Sequence, residues 1–573
     1  MSDLVSPSSN VALALLRPVM AALAFVLCTG LSVPSQRITY TLTPVMQNGA
    51  LQAIQIDLTF RGQGDGETDL KLPGEWGGET ELWRGIEGLT IVEGAQMRDG
   101  ARPSERVLTH EPNARIHVRY RVIQDWEGAP TGGRNTYRPI IQPTYFHLIG
   151  EAALATPDLH NATPARLRVR GMPRGWRFAS DLQHPGLALG HVHASITVGG
   201  DYRIRRARDA NIRVALRGDW NFTDHAFTDQ VGQIVSGHRE FWGDRTAPYL
   251  VTVTQTVQRR EGQMSVGGTG LSDAFAFFAT PNVDEAPITR TLAHESFHSW
   301  IPGLIGGMPE ENEAGSYWFS EGLTDFYTGR MLVRAGLWTP QQFADDLNQM
   351  LAAYAQSPVR DAPNARIAAD FWSDQHVQQL PYQRGRFLMT IWDARLRSNG
   401  RSLDEAMLEM RERATAGDPM KAVDMFPVVL ELMGLDIRSD IAAYAEAGAH
   451  VLLPENVFAP CGRVTTLEAP EFNPGFDVAA MRANNRIISG VDRTLPAYAA
   501  GLRDGMVFVR QQSGRVGDPE QQLVLVVRDG EQERTISYMP RGRGTYALQQ
   551  LEIDPALEGE RYAQCRAVLG GAN

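Results

Sequence analysis

Leu292-Ala293-His294-Glu295-Ser296-Phe297-His298-Ser299-Trp300 is the stretch around which the rest of the chain falls into order. Pro287 suits a first helical turn and Pro302 stops the run just after Trp300, so the pattern predicts a helix over 289–300. On a helix, residues i and i+4 share a face with Cβ atoms about 5–6 Å apart. Two imidazoles at that spacing can converge on one metal ion at about 2.0–2.1 Å. Glu295, one residue on, projects beside such a metal and can act as base toward water. Only 13 histidines occur in 573 residues, so a chance match to this pattern is rare. The plain alternative is a pair of structural histidines.

Further along, Trp318-Phe319-Ser320-Glu321-Gly322-Leu323-Thr324-Asp325-Phe326-Tyr327 sits in a predicted helix over 317–335, ended by Gly336. A catalytic zinc commonly takes three protein ligands and leaves a position to water, so Glu321 can complete a His2Glu set. Asp325 lies four residues later on the same face, where it can accept from a ligand histidine or serve as an ordinary helix acid. Pro381-Tyr382-Gln383-Arg384-Gly385-Arg386 is expected to open another helix with a tyrosine at its start. A Tyr382 hydroxyl aimed at a tetrahedral oxyanion would stabilise a transition state; without that setting it reads as a core aromatic.

These motifs resemble the glycyl aminopeptidase family, PDZ-carrying gluzincin metallopeptidases related to the aminopeptidase N family. The resemblance runs from about 218 to 565 and rests on the segments at 294–300, 320–327, Arg334-Ala335-Gly336-Leu337, Tyr382-Gln383-Arg384-Gly385 and Ser402 to Met407. It implies one zinc per chain, with His294, His298 and Glu321 as ligands, Glu295 as general base and Tyr382 as transition-state stabiliser. It also implies a peptide substrate with a small N-terminal residue such as Gly or Ala. Family members carry a Gly-Gly-x-Glu-His-like segment on the edge strand that holds substrate, and its Glu is expected to grip a free N-terminal amine. Here Gly267, Gly268 and Gly270 persist, consistent with close backbone approach, but Ser272 and Asp273 replace Glu and His. Asp273 can still pair an ammonium at shorter reach; otherwise the enzyme is an endopeptidase or accepts something other than a free N-terminus. The rim also differs, being acidic at Glu310, Glu311 and Glu313. Leu495 to Met506 and Pro474-Gly475-Phe476-Asp477 resemble a bacterial PDZ module, which implies either a bound C-terminal peptide or a module that only packs on its neighbour. A non-catalytic PDZ-type peptide-binding protein is the rival from another class.

The implied architecture is multidomain α+β. It comprises an N-terminal antiparallel β-sandwich-like domain (37–217), a thermolysin-like, mostly helical catalytic domain (218–455) and a PDZ-like domain (462–566). Period-two alternation supports the first of these: Ile54, Ile56, Leu58 and Phe60, then Ile116, Val118, Tyr120 and Val122 interleaved with Arg115, His117, Arg119 and Arg121. That basic row is read as a solvated strand face. Asp529-Gly530 between two strand-like runs signals a hairpin near the C-terminus.

Composition is that of a folded chain, 43% hydrophobic and 21% charged. A net charge of −11 removes the basic footprint of a nucleic-acid binder. Only Lys71 and Lys421 are lysine among 55 basic residues, which reads as genome bias. The apolar run from Pro18 to Val33 is short for a membrane span and reads as a secretory signal over 1–32, or else as a retained anchor. A periplasmic or secreted protein without strong membrane association after signal removal is therefore expected. Cleavage would remove Cys28 and leave Cys461 and Cys565, either two free thiols or a disulfide tying the ends of the last domain.

Overall fold

The computed structural model describes residues 37–131, 135–208, 211–243, 248–260, 262–271, 273–309 and 311–571. The expected signal within 1–32, with Cys28, lies outside the described residues, as do Ser272 and Glu310. Arg37–Asn573 forms one compact unit.

The N-terminal part is built from three sheets rather than two facing ones. The largest orders its strands Ala165–Val169, Ile38–Gln47, Ala50–Arg61, Arg115–Val122 and Ile86–Glu93. All its pairs are antiparallel except that Ile38–Gln47 runs parallel to Ala165–Val169. The period-two residues behave as their alternation demands: Ile54, Ile56, Leu58, Ile116, Val118, Tyr120 and Val122 are fully buried. The basic row on the other face meets acids across the strands, with Arg119 and His117 on Asp57 and Arg121 on Glu87.

A second five-stranded sheet comprises β1 (Arg203–Arg206), β2 (Ile212–Arg217), β3 (Tyr249–Gln255), β4 (Val266–Gly270) and β5 (Ala274–Ala279), in the order β1-β2-β3-β5-β4. β2, β3 and β5 are parallel, and β4 folds back antiparallel on β5 as an edge. Both β1 and β2 fall before residue 218, so this sheet starts inside what alternation assigned to the N-terminal domain. Alternation reports a buried face but not which sheet a strand joins, and parallel pairing is non-local.

Helices α1 (Asp224–Trp242), α2 (Glu285–Phe297), α3 (Tyr317–Arg334), α4 (Pro340–Gln356) and α5 (Gln375–Ser398) follow in the chain among and after these strands. A cluster including Phe297, Trp318, Leu323, Tyr327, Phe387 and Trp392 joins α2, α3 and α5. α5 begins six residues before Pro381 rather than at it. Asp374 caps it, its carboxylate accepting from the amides of His376 and Val377. Tyr382 therefore stands two turns inside the helix. Among the described residues no helix is long and apolar enough to cross a membrane.

At the C-terminal end, Gly462–Phe472 pairs with Arg541–Ile553, while Val507–Ser513, Leu523–Asp529 and Gln532–Tyr538 form a second sheet. The expected hairpin forms through Gly530 at φ 63°. After Pro474–Asp477 the chain enters a short helix, Val478–Ala483, whose N-cap Asp477 accepts from the Ala480 amide at 2.8 Å. A strand onto which a bound C-terminus could add is therefore not formed at that point. Cys461 and Cys565 are joined in a disulfide.

Candidate active site

Three helices converge beneath the edge strand β4. α2 carries His294 and Glu295, and His298 caps its C-terminal end with φ −63° and ψ −15°, close enough to helical to keep both imidazoles on one face. α3 supplies Glu321 and Asp325, and α5 supplies Tyr382. The helix carrying the histidines covers 285–297, shifted a few residues toward the N-terminus from the expected 289–300.

The Glu321 carboxylate lies 3.3 Å from His294 Nε2 and 3.4 Å from His298 Nε2. Ligand atoms of the three all fall within 4.8 Å of one another. One small cation can touch three such atoms at once, and the N2O donor set is the one zinc takes in hydrolytic sites. The other ring nitrogens are also directed. His294 Nδ1 faces Asp325 at 3.1 Å, and His298 Nδ1 faces the Ile301 carbonyl at 3.3 Å, leaving both Nε2 atoms for an ion. The residues thus fit a zinc ion.

Electrostatics agree with that. Burial works against charge on His294, yet its hydrogen bonds to Asp325 and Glu321 outweigh burial and raise its proton affinity well above the ordinary range. Despite their burial, Glu321 is held far below ordinary carboxylates by the His298 charge first and then by its bond to His294, and Asp325 by the Arg290 charge first and then by its bond to His294. A site this rich in carboxylate favours a cation. Glu295 differs, because burial dominates there and raises its pKa despite the two histidines. A carboxyl raised in this way is better suited to take and return a proton. Tyr382 is raised too, by burial first and then by Glu321, Glu295 and Asp325, so its hydroxyl stays protonated. Its ring lies 5.8 Å from that of His294, centroid to centroid.

Two contacts explain why glycines follow the site residues. A Cβ on Gly322 would stand 2.3 Å from Gly385 Cα, and one on Gly385 would stand 2.1 Å from the Trp318 carbonyl oxygen. α3 and α5 therefore cross backbone to backbone, which brings Glu321 and Tyr382 into one site. On β4, a Cβ at Gly270 would meet the Glu295 carbonyl oxygen at 3.0 Å. Gly270 thus lies over the Glu295 turn. Asp273 sits beyond it at the end of the β4–β5 turn, where its charge acts on Asp181, His184 and Tyr249. Glu313 is exposed at the rim and, after burial, is the main influence pushing the Tyr317 hydroxyl up to about 12.

Some site residues lie outside the segments that the sequence motifs single out. Arg290 donates to Asp325 at 2.9 and 3.1 Å and to Asp346 at 2.6 Å, and Arg386 also donates to Asp346 at 2.6 Å. Arg290 lies one turn before His294, a spacing that could have drawn attention to it. Tyr137, from the N-terminal part, donates to the Gly268 carbonyl at 2.8 Å.

A family model of the M61 glycyl aminopeptidases matches residues 288–383, the segment from α2 to Gln383. Over that segment the chain resembles the glycyl aminopeptidases. Its structure is similar to that of an aminopeptidase N family protein from Idiomarina loihiensis, with a TM-score of 0.64 at 16% identity, covering 93% of this chain and 100% of that one. An M1 zinc metallopeptidase from Deinococcus radiodurans aligns at TM-score 0.46 and 15% identity over 74% of this chain and 96% of that one. No curated protein sequence matches the chain. The His294–His298–Glu321 cluster lies within the matched segment.

Proposed function

We propose that the chain is a zinc-dependent aminopeptidase, with one zinc per chain, acting on peptides with small N-terminal residues. The observation that carries this reading is the convergence of His294, His298 and Glu321 within 4.8 Å, beside Glu295 and under an edge strand. Zinc held by those residues would act as a Lewis acid on the scissile carbonyl and lower the pKa of the attacking water. Glu295 takes the proton from that water and returns it to the departing amine, a shuttle favoured by its raised pKa. Tyr382 donates its hydroxyl hydrogen to the oxyanion that develops at the carbonyl. Gly270, with no side chain, lets the substrate backbone approach over Glu295. Acidity at Glu311 and Glu313 supports attraction of a cationic N-terminus, in place of the missing amine-gripping glutamate. The disulfide supports an extracytoplasmic address, periplasmic or secreted.

Replacing Glu295 by Gln tests the assignment. Zinc content should stay at that of the wild type, while hydrolysis of an Ala-initiated peptide falls by about 10²–10⁴-fold. Unchanged turnover at full zinc occupancy would remove Glu295 from the mechanism.

A further inference from the structure

β4 is an edge of its five-stranded sheet, and a peptide can add to such an edge as a further strand. Which residues of β4 face outward follows from its bonds to β5. Leu271 N donates to the Ala274 carbonyl at 2.8 Å, and Thr280 N donates to the Ser265 carbonyl at 2.9 Å. With Gly267 opposite Phe278 and Thr269 opposite Ala276, alternation makes 265, 267, 269 and 271 the inward-bonded positions. Val266, Gly268 and Gly270 therefore turn their N–H and C=O groups to the free edge. Of these, the Gly268 carbonyl is already taken by the Tyr137 hydroxyl.

Tyr137 is held firmly in that position. Its ring packs edge-on against Phe278 of β5, 6.3 Å between centroids. Gly77 leaves room for the ring, since a Cβ there would stand 2.7 Å from it. The next residue, Arg138, is anchored on Asp125 at 3.0 Å and on the Thr80 carbonyl at 2.9 Å. Burial first and then the Glu295 charge push the Tyr137 hydroxyl up to about 12, so it remains a donor.

We propose that Tyr137 is a specificity-determining residue that closes the substrate edge at Gly268. Gly270, over the Glu295 turn, is then the outward-facing residue left to pair between the Tyr137 hydroxyl and the turn into β5. A polypeptide cannot lie along the strand through the site, and only a chain end fits. The requirement for a free terminus then comes from a wall supplied by the N-terminal part. This inference rests on the peptidase reading above and extends it to substrate length.

The test uses the zinc-loaded full chain and two peptides of one sequence, Ala-Ala-Phe with a free and with an acetylated N-terminus. Tyr137→Phe keeps the ring on Phe278 and frees the Gly268 carbonyl; Tyr137→Ala removes the wall altogether. Wild type should favour the free peptide in kcat/KM. The preference should narrow by about tenfold in Tyr137→Phe, the scale of one hydrogen bond regained, and further in Tyr137→Ala. An unchanged preference in variants active on the free peptide overturns the inference alone. So does a proportional loss on both peptides, because damage to the fold lowers both together. A wild type that hydrolyses neither peptide at full zinc occupancy overturns the peptidase reading and this inference with it.

Discussion

At the scale of single residues, the Asp325 carboxylate joins two systems. It accepts from His294 Nδ1 at 3.1 Å and is gripped by Arg290, with Arg386 at 3.9 Å. Asp346 on α4 ties the two guanidiniums together. The pairing fixes the His294 ring and its tautomer, so that Nε2 stays free for the ion. Asp325→Asn keeps the shape but removes the charge, and it leaves two arginines facing a neutral amide. Zinc affinity should fall by about 10–100-fold, read by competition with a chelator of known affinity. An unchanged dissociation constant would confine Asp325 to packing. The acid itself was legible four residues after Glu321, because an i,i+4 relation is local. Arg386 and Asp346 were not, since three helices have to pack before those side chains meet.

At the scale of elements, the site depends on how closely α3 crosses α5. Both motif glycines, Gly322 and Gly385, lie at the crossing, and each faces backbone rather than a side chain that could rotate away. Gly322→Ala gains helix propensity but forces the helices apart, and overpacking of this kind costs about 1–3 kcal/mol. Gly267→Ala is the control, since nothing lies within 4 Å of a Cβ there. Urea unfolding should show Gly322→Ala destabilised and Gly267→Ala little changed; equal midpoints would mean that the crossing tolerates a methyl. Sequence patterns marked these glycines without giving their reason, because a close crossing is a property of two helices. They also placed α5 too late. Pro381 is a usual start signal, but Asp374 caps the helix earlier and the proline is carried inside it. For β1 and β2, alternation was read correctly as strand while their sheet was not, since β2 pairs with β3 more than thirty residues away.

At the scale of the whole molecule, the chain's last helix, Gly559–Gly570, packs on the back of α3, the helix that bears Glu321. Arg334 of α3 donates to the Gly570 carbonyl at 2.7 Å, and Arg566 returns a bond to the Val333 carbonyl at 3.0 Å. Cys565 on this helix is bonded to Cys461, where the C-terminal sheets begin. Counting cysteines left the thiol state open, because a pairing depends on where the last helix docks. The disulfide closes a loop spanning 104 positions of sequence and so restricts the unfolded chain far more than the folded one. Loops of that length correspond to a stabilisation of up to about 5 kcal/mol, and measured losses on removing native disulfides run about 2–5 kcal/mol. Cys461→Ser/Cys565→Ser should therefore lower the midpoint of urea unfolding by a matching amount. Zinc affinity at 25 °C should stay within a factor of about three, because the arginine–carbonyl bonds still seat the helix on α3. A midpoint equal to that of the oxidised protein would show that docking alone carries the stability. A large loss of zinc affinity would show instead that Glu321 is held in place through the staple.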